Sequence, residues 1–304
     1  MNFIYITGMT HTPTYASRAD TDEFGPYTFN RDPGRPLLRF GGRIEDRPDA
    51  LFPSQPGRYH LYAGWFCPWA HRSTLVIALA GLDDVVSVSY VHGERDGRGW
   101  AFRAPTGPDP VNGFALLRQA YDATEPHFDG HVSVPTLWDR TARRVVSNTY
   151  GSIDVDLATE LRAYAEGGID LYPPDLAAEI DGLDLWLGPA VNHGVAAAAV
   201  GEDPEARAVL VGTLGELDGR LADRAFLLGD RLTLADLRLW VTLLRFDAGA
   251  NAAGAIGPRL DTYEHLWDWA RAIYQRPEVE PTVDFSSFTA AGAPRLDWEA
   301  ATRR

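Results

Sequence analysis

Lysine does not occur in this 304-residue chain: all 28 basic residues are arginine, set against 42 acidic ones. Together with abundant Ala, Gly, Asp and Pro, this reads as the imprint of a GC-rich coding sequence. It carries no direct functional message. Positive charge is scarce overall, with a net charge of -14 and a pI near 4.9. Nucleic-acid binding needs a basic face to displace counterions, so it is excluded as the main role, and so is attachment to anionic membranes. No apolar run approaches the ~20 residues that a spanning helix requires. The greasiest stretches, such as Leu75–Leu82, are broken by Gly or charge. Cysteine occurs once, at Cys67, which excludes an intramolecular disulfide and a CxxC metal pair. The eight histidines suggest no metal site, and none is expected. Met1–Thr10 lacks the basic and apolar segments of a secretory signal, so a cytoplasmic, reducing location with a free thiol is the expectation.

What is present is an ordinary globular composition, 45% hydrophobic and 23% charged, long enough for two domains. Residues 1–57 show little periodicity and are rich in Gly, Pro, Asp and Arg. They read as an extended arm wrapped over the domain next in the chain. Arg58–Gly64 alternates and is aromatic, as a strand does, and Pro68–Leu82 reads as a helix with Pro at its first turn. Val85–Val91 is a second strand, and strand, helix, strand implies a right-handed parallel unit. Residues 93–131 form an insertion with one short helix over Gly113–Ala123. Val132–Trp138 and Arg143–Ser147 read as a hairpin. Helices come next at Leu176–Leu187, Pro204–Leu221, Leu234–Phe246 and Thr262–Tyr274, with capping-box spacing at Thr233 and Asp236. The tail after Pro281 should be extended. The expected division is 1–57 arm, 58–160 α/β domain and 161–304 helical domain, the boundary falling between about 157 and 175.

Cys67 stands between a strand and a helix in Trp65-Phe66-Cys67-Pro68-Trp69-Ala70-His71-Arg72. The unpaired N–H groups and positive end of the helix would face its sulfur, and Arg72, with His71, would add positive potential. These effects favour the thiolate, which is the nucleophile. Ala70 occupies the place of a second cysteine in CxxC, so the site is monothiol. A mixed disulfide on it must be resolved by a thiol from outside the chain. Val134-Pro135-Thr136 opens a strand where thioredoxin-like folds place a cis proline beside the cysteine.

These segments together resemble the glutathionyl-hydroquinone reductases, the Xi class of glutathione transferases. The likeness runs from about residue 58 to 283. It is carried by RYHLYAGWFCPWAHR (58–72), Gly99-Trp100, Leu117-Arg118-Gln119-Ala120-Tyr121, VSVPTLWD (132–139), Asp170-Leu171-Tyr172-Pro173, Val191-Asn192-His193-Gly194-Val195, Thr233-Leu234-Ala235-Asp236 and Leu244-Arg245-Phe246-Asp247. The resemblance implies a thioredoxin-like domain followed by an all-helical glutathione-transferase-type domain, in a homodimer. It implies cleavage of a thioether between a small thiol and a quinone-type aromatic through a Cys67 mixed disulfide. No tightly bound cofactor is implied; the co-substrate is a low-molecular-weight thiol. Catalysis would fall to Cys67, His71 and Arg72. The thiol would lie among Trp69, Trp100, Arg118, Val134, Pro135, Asn148, Thr149 and Tyr150. The aromatic half would meet Trp65, Phe66, His193 and Arg245.

The chain also departs from that family. Where the family has Asn-Glu-Ser-Ser, this sequence reads Asn148-Thr149-Tyr150-Gly151, without the carboxylate that holds the γ-glutamyl amine. The tyrosines expected after Val195, after Asp247 and near residues 290–293 are Ala or Gly. A thiol without a γ-glutamyl group, such as mycothiol, is therefore an expected alternative to glutathione. A non-catalytic thiol-binding or scaffold protein, and a conjugating transferase or isomerase, are the rival functions.

Overall fold

The computed structural model describes residues 13–199 and 203–302, so the expectation for Met1–Thr10 lies outside the described residues. A four-stranded sheet has the order β2-β1-β3-β4, formed by β1 (Tyr59–Ala63), β2 (Val86–Tyr90), β3 (Thr136–Asp139) and β4 (Arg144–Ser147). β1 pairs parallel to β2, as the strand, helix, strand order requires, and antiparallel to β3. Every residue of β1 is buried, because the strand is central and covered on both faces. β3 begins four residues later than the alternation suggested. Val132–Pro135 lie outside the ladder, and the Val134–Pro135 bond is cis.

In the arm, the short α1 (Thr21–Phe24) is capped by the Asp20 carboxylate, which accepts from two backbone N–H groups. The cysteine helix, α2 (Pro68–Leu79), ends before Gly81, whose φ of 68° is the left-handed stop that glycine provides. A β-carbon at Gly81 would also meet the Glu166 carbonyl at 2.7 Å. The insertion helix, α3 (Arg118–Thr124), starts five residues later than expected. The Asp109 carboxylate accepts from the N–H groups of Val111, Asn112 and Phe114, which folds Gly113 into a loop instead.

The remaining helices are α4 (Tyr150–Thr159), α5 (Ala177–Leu187), α6 (Gly194–Ala199), α7 (Pro204–Leu221), α8 (Leu234–Arg245) and α9 (Glu264–Tyr274). α7 matches its expected span, and α5, α8 and α9 fall within one or two residues of theirs. The molecule is thus a thioredoxin-like sheet unit joined to an all-helical unit. α2 packs on α4 behind the sheet and on α8 across the junction of the two units. α8 buries all but its last residue.

The capping box forms as its spacing predicted, and it does more than cap. Asp236 accepts from Thr233 N (3.0 Å), Thr233 Oγ1 (3.0 Å), Leu227 N (2.9 Å) and Trp269 Nε1 (3.2 Å). One carboxylate therefore joins three segments of the helical unit. The tail differs from expectation. Beyond two short 3₁₀ turns it returns to the core, where Trp298 is fully buried and donates Nε1 to Asp247 Oδ2 at 2.9 Å. Among the described residues no helix is long and apolar enough to cross a membrane.

Candidate active site

Cys67 is the N-cap residue of α2, and its backbone is extended, so the first turn of the helix opens towards its side chain. The residue is 8% exposed and is one of those that line a cleft of about 390 Å³. The thiol donates to the Val134 carbonyl at 3.3 Å. Burial pushes the thiol above its ordinary value of 9.0, while the N–H groups of Ala70 and Trp69 and the charges of Arg245 and Arg72 pull it down. Burial is the largest of these effects and sets the direction. Against the expectation of a favoured thiolate, the net direction for the Cys67 thiol at this buried site is upward. Its alkylation by iodoacetamide should accelerate by about tenfold per pH unit between pH 6 and 8, following the thiolate fraction. A rate that levels off below pH 7 would contradict this.

The cleft wall comes from six segments, one of them the arm with Leu37 and Leu38. The cysteine loop and helix give Phe66, Cys67 and Trp69; the insertion gives Arg95 and Trp100; the run before β3 gives His131, Ser133 and Val134. The end of β4 and the start of α4 give Asn148 and Tyr150, and the helical unit gives His193. The indole of Trp69 stacks on Tyr150 (4.5 Å between centroids) and touches His193 (4.9 Å), while the Arg72 guanidinium covers it at 4.5 Å. Trp100 lies 4.4 Å from Phe66. Asn148 accepts from Phe40 N and donates to Ser133 Oγ, which fixes its amide orientation.

Several expected residues sit elsewhere. His71 does not face the cleft. Arg245 Nη1 donates to its Nδ1 at 2.9 Å, so the ring proton lies on Nε2 and goes to Thr282 Oγ1 at 3.0 Å. Burial, then the neighbouring Arg245 charge, keeps this imidazole neutral. His71 thus holds Arg245, and Arg245 also donates to the Trp65 carbonyl at 3.1 Å. Neither Arg245 nor Trp65 lines the cleft; Trp65 stacks on Tyr90 at 4.1 Å behind it. Arg72 is spent on the Arg238 carbonyl across the unit junction and acts on the sulfur only through its charge. Burial lowers Arg72 and Arg245 to about 10, so both remain cations at neutral pH.

Arg118 donates to the Phe128 carbonyl (2.9 Å) and is absent from the wall. Thr149 caps α4 and bonds the Phe40 carbonyl, also outside the wall, and Pro135 lies behind Val134. Among the described residues the cleft wall carries no acidic side chain. Sequence reasoning missed Leu37 and Leu38 of the arm, Arg95, His131 and Ser133, all of which line the cleft. Only Arg95 carried a signal, as a cation close to Trp100 in the chain. His127 and His131 stand four apart, but in a loop in which His127 has a φ of 61°. Among the described residues no three His, Cys, Asp or Glu side chains come together as a metal site.

Comparison with known proteins agrees with this geometry. A family model described as glutathione S-transferase, C-terminal domain, matches residues 172–272. Glutathionyl-hydroquinone reductase PcpF of Sphingobium chlorophenolicum is 39% identical over 243 residues, which is 78% of this chain and 78% of that protein. A Xi-class glutathione transferase from Natrialba magadii matches with a TM-score of 0.81 at 32% identity, over 87% of this chain and 90% of that one. The glutathione-bound structure of YqjG, a glutathione transferase homolog from Escherichia coli K-12, matches with a TM-score of 0.75 at 33% identity, over 82% and 85%. With this likeness running across both units, the chain belongs to the glutathionyl-hydroquinone reductases, the Xi class of glutathione transferases, and is an enzyme of that type.

Proposed function

We propose that the protein is a cysteine-dependent thiol transferase that removes a small thiol from an aromatic, quinone-type conjugate. The observation that carries this is a lone thiol at the head of α2, opening on an aromatic-lined cleft and lacking a second cysteine to resolve a disulfide. The Cys67 thiolate attacks the conjugate's sulfur. The sulfur–carbon bond breaks, its electron pair passes to the aryl carbon, and that carbon takes a proton to give the free hydroquinone. Cys67 is left disulfide-bonded to the thiol. A second thiol attacks that disulfide as thiolate, releasing a symmetrical disulfide and the Cys67 thiolate. The aromatic substrate gains two electrons and the two thiols lose them.

Glutathione is the first thiol to consider, because a relative at 33% identity is known in glutathione-bound form. A second reading is favoured by the absence of any acidic side chain from the cleft wall, which leaves the γ-glutamyl ammonium without a partner. Mycothiol has no such group and needs no acidic partner in the wall. The check is intact mass spectrometry after exposure to each thiol's hydroquinone conjugate, followed by turnover with each free thiol. A Cys67 adduct is expected, with turnover by mycothiol at least about tenfold above that by glutathione, the worth of one ammonium contact. Equal turnover removes the mycothiol reading. No adduct with either conjugate removes the disulfide mechanism and favours a conjugating transferase or a binding protein.

A further inference from the structure

Arg95 is the one arginine, aspartate or glutamate of the cleft wall, and among the described residues it has no polar partner. Its guanidinium carbon lies 4.1 Å from the Tyr27 ring centroid and 4.3 Å from that of Trp100, so it is held by two ring faces. Such contacts leave the N–H edge of the fork unspent. Neighbouring arginines are all committed. Arg98 pairs with Asp96 at 2.7 Å, Arg103 donates to the Glu94 and Ser17 carbonyls, and Arg118 donates to that of Phe128. Of the two flanking acids, Asp96 is held by Arg98 far below the usual carboxylate range, and the exposed Glu94 carboxylate lies 3.9 Å from His92 Nδ1. His131 adds no charge, because burial and Arg95 lower its pKa. Its Nδ1 is 3.3 Å from the Tyr27 hydroxyl, which further fixes the ring beneath Arg95.

We propose that Arg95 is an anion anchor of the cleft, taking a carboxylate of the bound conjugate through its unspent N–H groups. This deepens the thiol-transfer reading and rests on it. Arg95 touches the ligand and selects it, and takes no part in the bond changes at Cys67. The carboxylate can belong to the thiol half or to the aromatic half of the conjugate, and both present the same planar acceptor to the fork.

Binding to the intact protein, followed by tryptophan fluorescence, separates the cases. One probe pair is S-methylglutathione and its dimethyl ester. The other is a glutathione dimethyl ester carrying a 4-carboxyphenyl group on sulfur, and the same compound with that carboxyl methylated. The carboxylate member of at least one pair should bind about ten- to hundredfold more tightly than its ester, and the pair that responds names the half that is held. Arg95→Met should abolish the preference and Arg95→Lys should keep part of it. Equal affinity within both pairs overturns the proposal. So does a loss in Arg95→Met that is the same for acid and ester, because that is the mark of a brace between Tyr27 and Trp100. If the wild-type protein binds none of the four, no carboxylate is anchored and the proposal is overturned, whereas the thiol-transfer reading stands or falls separately on the Cys67 adduct.

Discussion

Serine at position 67 should reduce turnover of a thiol–hydroquinone conjugate by at least about 10³-fold, a barrier increase of about 4 kcal/mol. The hydroxyl does not ionise near neutral pH, so the α2 N–H groups and the Arg72 and Arg245 charges have no anion to favour. The fold should be untouched. A serine Oγ can keep the hydrogen bond to the Val134 carbonyl, and a change of one atom at an 8%-exposed site alters little packing. The measurement pairs steady-state turnover with thermal unfolding of Cys67→Ser. Turnover within tenfold of wild type would show that Cys67 is only a packed side chain. The effect is large because the chain has no other thiol to take over the covalent step.

Asp236→Ala should cost about 3–5 kcal/mol of stability, since it strands four donors in a fully buried position. For a chain of this size that corresponds to a fall in Tm of roughly 10 °C. Asn is not a safe replacement. One carboxylate oxygen accepts from Leu227 and Trp269 and the other from Thr233, so an amide NH₂ on either side meets an N–H donor. Asp236→Asn should therefore fall between wild type and Asp236→Ala in a thermal or urea unfolding series. A variant as stable as wild type would mean that water reaches these donors.

The segments that were legible in the sequence are those in which local chemistry decides structure. The aromatic alternation of β1, Pro68 in the first turn of α2, and Thr233 with Asp236 at the start of α8 each name their element directly. Phe66, Cys67, Trp69, Trp100, Val134, Asn148, Tyr150 and His193 were expected at the site and do line the cleft. The errors share a cause. Trp65 and His71 are neighbours of Cys67 in sequence, but direction around the helix and loop sends them to the space behind the sheet and to α8, and Arg72 also turns to α8, though its charge reaches the sulfur as expected. Arg118 and Arg245 suggest ligand contacts by charge alone, whereas each is spent on a nearby carbonyl. Leu37, Leu38 and His131 come from stretches without periodicity. Their role is set by where the chain passes over the sheet, which no local pattern encodes.

Leu37 and Leu38 give the cleft a wall that is borrowed from outside the sheet and helices. Leu37 is 43% exposed, so its side chain has room to change without repacking the interior. Exchanging these two arm residues would therefore reshape the cleft wall. The sulfur, its helix and the neutral imidazole that holds Arg245 would stay as they are. The part of the wall with room to vary and the part that carries the thiol thus lie on different stretches of the same polypeptide.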